Sequence, residues 1–259
     1  MPITLVTGSA SGIGAAVCQQ LQEAGHQIIG VDRNKDDNFT QIAADLSTES
    51  GRAAAIISAR QLCDDKLDGL VCCAGVGITA PSCDLIVSVN YFGVTRMIKG
   101  LESALAKGDN PAVVVIGSVA ANQQLSHPDL MAVAMLNDDE TQSKSIANES
   151  QQPHIAYAAS KYAVTVWCRQ LSVEWGPKAI RINVVAPGAV ETPLHQSSKE
   201  DPRFGKAVRN FVAPIGRNGN PQEIASSVAF LQSPAASFIH GSVLFVDGGM
   251  DALMRAKDF

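Results

Sequence analysis

The chain has 259 residues, 46% of them hydrophobic, and a formal net charge of −5. That length suits one large α/β domain or two small ones and can bury a substantial core. An acidic balance with no basic cluster gives little electrostatic support to a nucleic-acid partner or an anionic membrane surface.

A strand-like run over residues 3–7 opens the chain, without a cationic, apolar leader, and no apolar stretch approaches the ~18 residues of a membrane span. A cytoplasmic protein is expected. The segment Thr7-Gly8-Ser9-Ala10-Ser11-Gly12-Ile13-Gly14 follows that strand and precedes a helical pattern over 13–24. Glycines there permit a tight turn and close backbone approach to a pyrophosphate, which the amides of a helix N-terminus then hold. Asp32 closes a second strand, over 27–31. A carboxylate at that place accepts both adenosine-ribose hydroxyls and repels a 2′-phosphate. Arg33 stands beside it, but Ser9, Ala10 and Ser11 bring no base to the glycine loop, so NAD is favoured over NADP. Asp45 closes a third strand-like run, over 42–45, either as a partner for the adenine amino group or as a solvated acid.

Further strands are predicted over 67–73, 112–117, 180–186 and 243–246, and helices over 49–63, 86–107, 157–175 and 221–232. Continuous apolar strands such as Val113-Val-Val-Ile116 imply burial on both faces. The repeated β-α-β order predicts a three-layer, doubly wound parallel sheet in one domain spanning residues 1–259. One stretch breaks the rhythm. Residues 121–153 are polar and mixed around a helix predicted over 130–136, and they form an insertion in that sheet. The six cysteines, at 18, 63, 72, 73, 83 and 168, contain no CxxC pair, and the five histidines are scattered. Buried reduced thiols and no metal are expected.

Tyr157 and Lys161 lie four apart in a helical run, so their side chains project from one face. An ammonium beside a phenol favours the phenolate, and the spacing predicts a lowered Tyr157 pKa suited to proton exchange with an alcohol or carbonyl oxygen. Neither Tyr91 nor Tyr162 has a lysine at this spacing.

Thr7-Gly8-x3-Gly12-Ile-Gly14, Cys73-Ala74-Gly75, Asn90, Ser118, Tyr157-x3-Lys161 and Pro187-Gly188 together resemble the short-chain dehydrogenase/reductase family. The resemblance implies a Rossmann fold and a catalytic tetrad. Tyr157 would be the general acid/base, and Lys161 would hold the nicotinamide ribose. Ser118 would bond the reacting oxygen, and Asn90 would position a relaying water. It also implies that NAD is held by Gly8, Ser11, Gly12, Ile13, Gly14, Asp32, Asp45, Leu46, Cys73, Ala74, Gly75, Tyr157, Lys161, Pro187, Gly188, Val190 and Thr192. Two features depart from the family pattern: Cys72-Cys73 replaces a usual Asn pair, and Ser118 lies 39 positions before Tyr157.

Within the family, Ser88-Val-Asn-Tyr-Phe-Gly93, the long serine-to-tyrosine insertion, Ser233-Pro-Ala-Ala-Ser-Phe-Ile-His-Gly241 and the tail from Val246 to Arg255 resemble the bacterial 3α-hydroxysteroid dehydrogenase/carbonyl reductase branch. The implied activity is NAD(H)-dependent interconversion of a 3α-hydroxysteroid and its 3-ketone, with tolerance for other carbonyl compounds. A lid over 189–216 would bring Val190, Pro193, Leu194, Phe204, Phe211, Val212, Pro214 and Ile215 to an apolar substrate. The insertion would add Leu125, Leu130, Met131 and Met135. An insertion next to the Tyr157 helix would obstruct a tetramer face, which leaves a homodimer through the C-terminal helix and last strand. Reduction of a small sugar, acyl or xenobiotic carbonyl is the alternative enzyme reading, and a non-catalytic NAD-binding regulator is the alternative of another class.

Overall fold

The computed structural model describes residues 1–35, 38–124 and 129–257. The first half runs β1 (Ile3–Thr7), α1 (Gly12–Glu23), β2 (Gln27–Asp32), β3 (Thr40–Ala43), α2 (Glu49–Leu62), β4 (Gly69–Cys72), α3 (Cys83–Val87), α4 (Val94–Leu105) and β5 (Ala112–Ile116). The second half runs α5 (Leu130–Leu136), α6 (Glu140–Ser150), α7 (Pro153–Trp175), β6 (Arg181–Pro187), α8 (Pro193–Glu200), α9 (Gly205–Asn210), α10 (Pro221–Gln232), β7 (Val243–Val246) and α11 (Met250–Met254).

The strands form one parallel sheet in the order β3-β2-β1-β4-β5-β6-β7. Alternation along β5 shows why its run is apolar throughout. Val113 and Val115 enter the core shared with Met97 and Leu101 of α4 and Ala163 and Val164 of α7. Val114 and Ile116 enter the opposite core, with Val17 and Leu21 of α1 and Ile224 and Val228 of α10. Two apolar layers thus flank the sheet, the three-layer arrangement expected of uninterrupted apolar strands. The chain leaves β1 toward β3 and returns to β4, so the strand order reverses between β1 and β4. A crevice opens at the carboxyl ends of strands at such a point.

Several boundaries differ from expectation, and three of the differences have a clear local reason. β3 ends at Ala43 because the next residues turn to cap α2: the Ser47 amide donates to Asp45 Oδ1 (2.9 Å) and the Gly51 amide to Thr48 Oγ1 (3.0 Å). The predicted helix over 86–107 is interrupted by a π-turn, Ser88–Gly93, between α3 and α4. α7 begins four residues early, at Pro153, whose missing N–H is harmless in the first helical position.

Within the insertion, α5 occupies its predicted range and α6 was not anticipated. α6 is polar, and a local cap and a tertiary ion pair hold it. Asp139 accepts the Gln142 amide (2.9 Å), and the buried Arg52 of α2 pairs with Glu140 (2.8 Å). Between the two helices, Asp138 takes Arg96 and Lys99 of α4 at 2.8 and 3.5 Å. α5 packs on α7, and α6 on α3. Met131 and Met135, expected in a substrate wall, are instead fully buried in the core that α7 shares. They sit one turn apart on the face α5 turns inward, and Leu130 is exposed. Leu125 lies outside the described residues.

Candidate active site

The loop between β1 and α1 is held tightly against the chain leaving β4. A Cβ on Gly8 would lie 2.7 Å from the Ala74 nitrogen, and one on Gly14 would lie 2.0 Å from the Gly8 oxygen. Neither position admits a side chain, and Gly8 also has φ +73°. The Cys73 amide donates to Thr7 O (3.1 Å) and the Ala74 amide to Thr7 Oγ1 (3.1 Å). Cys72-Cys73 therefore supplies backbone without disturbing the strand: Cys72 is buried in β4, and burial pushes its thiol up to about 12. Ser11 precedes α1 and makes no side-chain cap, so the first-turn amides face the cavity unoccupied by the protein's own capping group. These features fit a dinucleotide pyrophosphate.

A cavity of about 820 Å³ opens along the carboxyl ends of β1, β4, β5 and β6. Its walls include all seventeen residues expected at NAD. Asp32 accepts the Ala10 amide on Oδ2 (3.2 Å) and the Asn34 amide on Oδ1 (2.9 Å), which fixes the carboxylate at the cavity rim with Arg33 beside it. Hydrogen bonds from Ser47 hold the exposed Asp45 carboxyl below its usual range. Leu46 is buried beside it. Pro187 ends β6, and the Gly188 amide donates to Val246 O (3.2 Å). Val190 is buried in a bridge to Gly219. Thr192 caps α8, its Oγ1 accepting the His195 amide (3.2 Å), and its methyl would lie 3.4 Å from a Cβ on Gly12.

Ser118 follows β5 directly, and Tyr157 and Lys161 rise from α7 into the same cavity. Ser118 Oγ accepts the Ala120 amide (3.1 Å) and shares a hydrogen bond with the Tyr157 hydroxyl. Lys161 is buried, and its Nζ donates to Ile116 O (2.8 Å) at the end of β5. Asn90 is fully buried in the π-turn and does not line the cavity. Its Oδ1 accepts the Val76 amide (2.9 Å), while its Nδ2 donates to Val76 O (3.0 Å) and Ser160 Oγ (3.3 Å). With its amide engaged on every side, Asn90 shapes the strand-end turn. A Cβ on Gly75 would lie 3.3 Å from Asn90 Oδ1 and 3.7 Å from Lys161 Nζ, so these groups converge at that turn.

The expected lowering of the Tyr157 pKa is corrected by this geometry. Burial pushes the phenol up, and the hydrogen bond with Ser118 is what pulls it down. Lys161 reaches past the ring, with Nζ 5.9 Å from its centroid, to the β5 carbonyl. Burial pulls Lys161 itself down to about 8. Between that value and the 10.5 of an ordinary lysine, the folded chain holds fewer protons at this site than the unfolded one. This site's contribution is therefore least favourable below pH 8 and recovers as pH rises toward 10.5, by about 3 kcal/mol. Urea unfolding of the unliganded protein and of Lys161→Met should show the wild type gaining on the variant between pH 8 and 10. A pH-independent difference would contradict that assignment.

Of the apolar residues expected over 189–216, Val190, Pro193, Leu194, Phe204 and Phe211 line the cavity. Val212, Pro214 and Ile215 do not reach it. There the chain turns toward the exit of β7: the Ile215 amide donates to Gly248 O (3.1 Å), and Pro214 packs at Gly249. Sequence reasoning missed Ile78, Leu85, Val89, Gln123, His154, Val208 and Met254. His154 alone had a signal. It lies three residues before Tyr157 on one helix, and its ring sits 5.7 Å from that of Phe204. Among the described residues, no group of His, Cys, Asp and Glu could hold a metal ion, none of the six cysteines is in a disulfide, and no helix is long and apolar enough to cross a membrane.

Comparison with known proteins agrees with this architecture. The family model described as short chain dehydrogenase matches residues 2–129, and one described as Enoyl-(Acyl carrier protein) reductase matches residues 141–251. The 3-alpha-hydroxysteroid dehydrogenase/carbonyl reductase of Comamonas testosteroni is 43% identical over 261 residues, covering 100% of both chains. The D-threitol dehydrogenase of Mycolicibacterium smegmatis is 32% identical over 95% of this chain and 92% of its own. A crystal structure of the 3-alpha-hydroxysteroid dehydrogenase from Pseudomonas sp. B-0831, complexed with NADH, superposes with a TM-score of 0.95 at 55% identity, covering 99% of this chain and 100% of that one. The fold and its site define an oxidoreductase. This chain belongs to the short-chain dehydrogenase family.

Proposed function

We propose that this protein interconverts a 3α-hydroxysteroid and the 3-oxosteroid with NAD(H), and that it also accepts other carbonyl compounds. The observation that carries the reading is the convergence of Ser118, Tyr157 and Lys161 at the end of β5, between a glycine-lined cradle and an apolar half-cavity. When bound, the nicotinamide supplies or takes up the hydride. Tyr157 gives its hydroxyl proton to the carbonyl oxygen during reduction and recovers it from the carbinol during oxidation. Ser118 hydrogen-bonds the same oxygen and aims it at the phenol. Lys161, anchored on Ile116 O, holds the ribose hydroxyls and replenishes the proton of Tyr157. Asn90 keeps the turn at Gly75 in place for that arrangement. Asp32 takes the adenosine-ribose hydroxyls, with Asp45 and Leu46 against the adenine.

The test is NAD reduction assayed with paired 3α- and 3β-hydroxysteroids, alongside small polar alcohols such as sugar alcohols. Turnover of the 3α-epimer in clear preference supports the reading. Exclusive turnover of the polar alcohols would replace it with the polyol chemistry of relatives such as D-threitol dehydrogenase. We further propose a homodimer working in the cytoplasm, where reduced thiols such as the six here persist. The insertion covers the α4 and α7 face through Asp138 and α5. Phe230 of α10, the fully exposed Phe238 and Leu244 of β7, which lies at an edge of the sheet, form the apolar surface for a twofold contact. Light scattering should give a particle of twice the 27.2 kDa chain, and a tetramer or monomer would contradict it.

A further inference from the structure

The C-terminal helix α11 belongs to none of the three layers, yet Met254 at its end lines the cavity. A set of polar contacts holds it there. Asp247, just past β7, accepts the Gly249 amide on Oδ1 (2.9 Å) and the Asp251 amide on Oδ2 (2.6 Å). Arg255 grips Asp251 through Nε and a terminal nitrogen, at 2.8 and 3.0 Å. Asp251 also accepts a hydrogen bond from Asn122, in the 3₁₀ turn Val119–Gln124. α11 packs on that turn, and the turn packs along α7.

We infer that α11 is a fixed wall of the substrate chamber. Met254 is a specificity-determining residue for the length of the ring system, and Asn122 is the positioning residue that holds the wall. The inference rests on the reading that the substrate is a fused-ring alcohol or ketone. The reacting oxygen is fixed at Ser118 and Tyr157. The 3₁₀ turn leaves Ser118 at about 2 Å per residue, so Asn122 stands roughly 8 Å along the chain from it. A single six-membered ring held at Ser118 ends short of that distance, and a fused system extends to it. A methionine at the far end is an adaptable apolar surface for such a system. α11 is braced by a carboxylate shared between Arg255 and Asn122.

The experiment compares kcat/KM for a four-ring 3-ketone and for cyclohexanone, with NADH, in the full-length enzyme. Met254→Gly should lower the ratio of the two about tenfold through KM for the larger ketone, and Met254→Leu should retain most of it. Asn122→Ala should lower the ratio in the same direction, and the double variant should fall no further than Met254→Gly alone. NADH binding, read by fluorescence titration, reports that each variant is folded. An unchanged ratio in Met254→Gly, equal losses on both ketones, or additive losses in the double variant would overturn the inference while leaving the functional reading intact. Wild-type enzyme inactive on every four-ring 3-ketone and 3α-alcohol would remove both.

Discussion

Tyr157→Phe lowers turnover of a 3α-hydroxysteroid by about 10³-fold, within the range removed with one general acid or base, while NADH binding stays near wild type. That corresponds to about 4 kcal/mol of barrier. The substitution removes one oxygen from a side chain whose ring remains packed against the core, so the fold has no reason to change. The hydroxyl is also the partner of Ser118, and its loss leaves the serine its bond from the Ala120 amide. Ser118→Ala should therefore cost less than Tyr157→Phe, and the double variant should cost little more than Tyr157→Phe alone. Steady-state kinetics with a fluorescence titration of NADH checks both parts. Comparable activity in Tyr157→Phe would remove the tyrosine from the chemistry.

Asp32→Ser changes cofactor preference by about 10³-fold, measured as the ratio of kcat/KM for NADH and NADPH. Losing a charged acceptor for the ribose hydroxyls costs NADH about 1.5–3 kcal/mol. Relief of a like-charge encounter benefits NADPH by a comparable amount. Asn34 and Ala10 point their amides at the present carboxylate, so its removal also frees donors on the rim of the cavity, beside Arg33. Those groups suit a phosphate. If NADPH gains nothing in this variant, Asp32 is not the discriminating group. Double substitution with Arg33→Ala should return part of the lost preference.

Much of the fold was legible because its strands are buried on both faces, and β5 reads as a strand from its valines alone. The cofactor side was legible for a related reason. Gly8 and Gly14 are positions where backbone meets backbone, and no other residue type fits. What stayed hidden depends on where a side chain goes after it leaves the helix. Spacing put Tyr157 and Lys161 on one face, but it could not say that Lys161 would reach past the phenol to Ile116. An apolar stripe on α5 could not say whether Met131 and Met135 face a ligand or the core. α6 escaped notice because a partner 88 residues away in sequence, Arg52, supplies what its own composition lacks. Met254 lies in a tail that closes through Asp251 on Asn122, 129 positions earlier in the sequence.

The π-turn at Ser88–Gly93 makes this protein intolerant of what would look like a local repair. Deleting one residue from that segment would restore an ordinary helix and a more regular ladder of hydrogen bonds. Because i→i+5 bonding absorbs the extra residue within one turn, α4 would keep its apolar face on the core. The widened turn that aims the Asn90 amide at Val76 would be lost. In an alignment of variants or in a deletion scan, this segment should behave as fixed in length, even where its side chains can be exchanged.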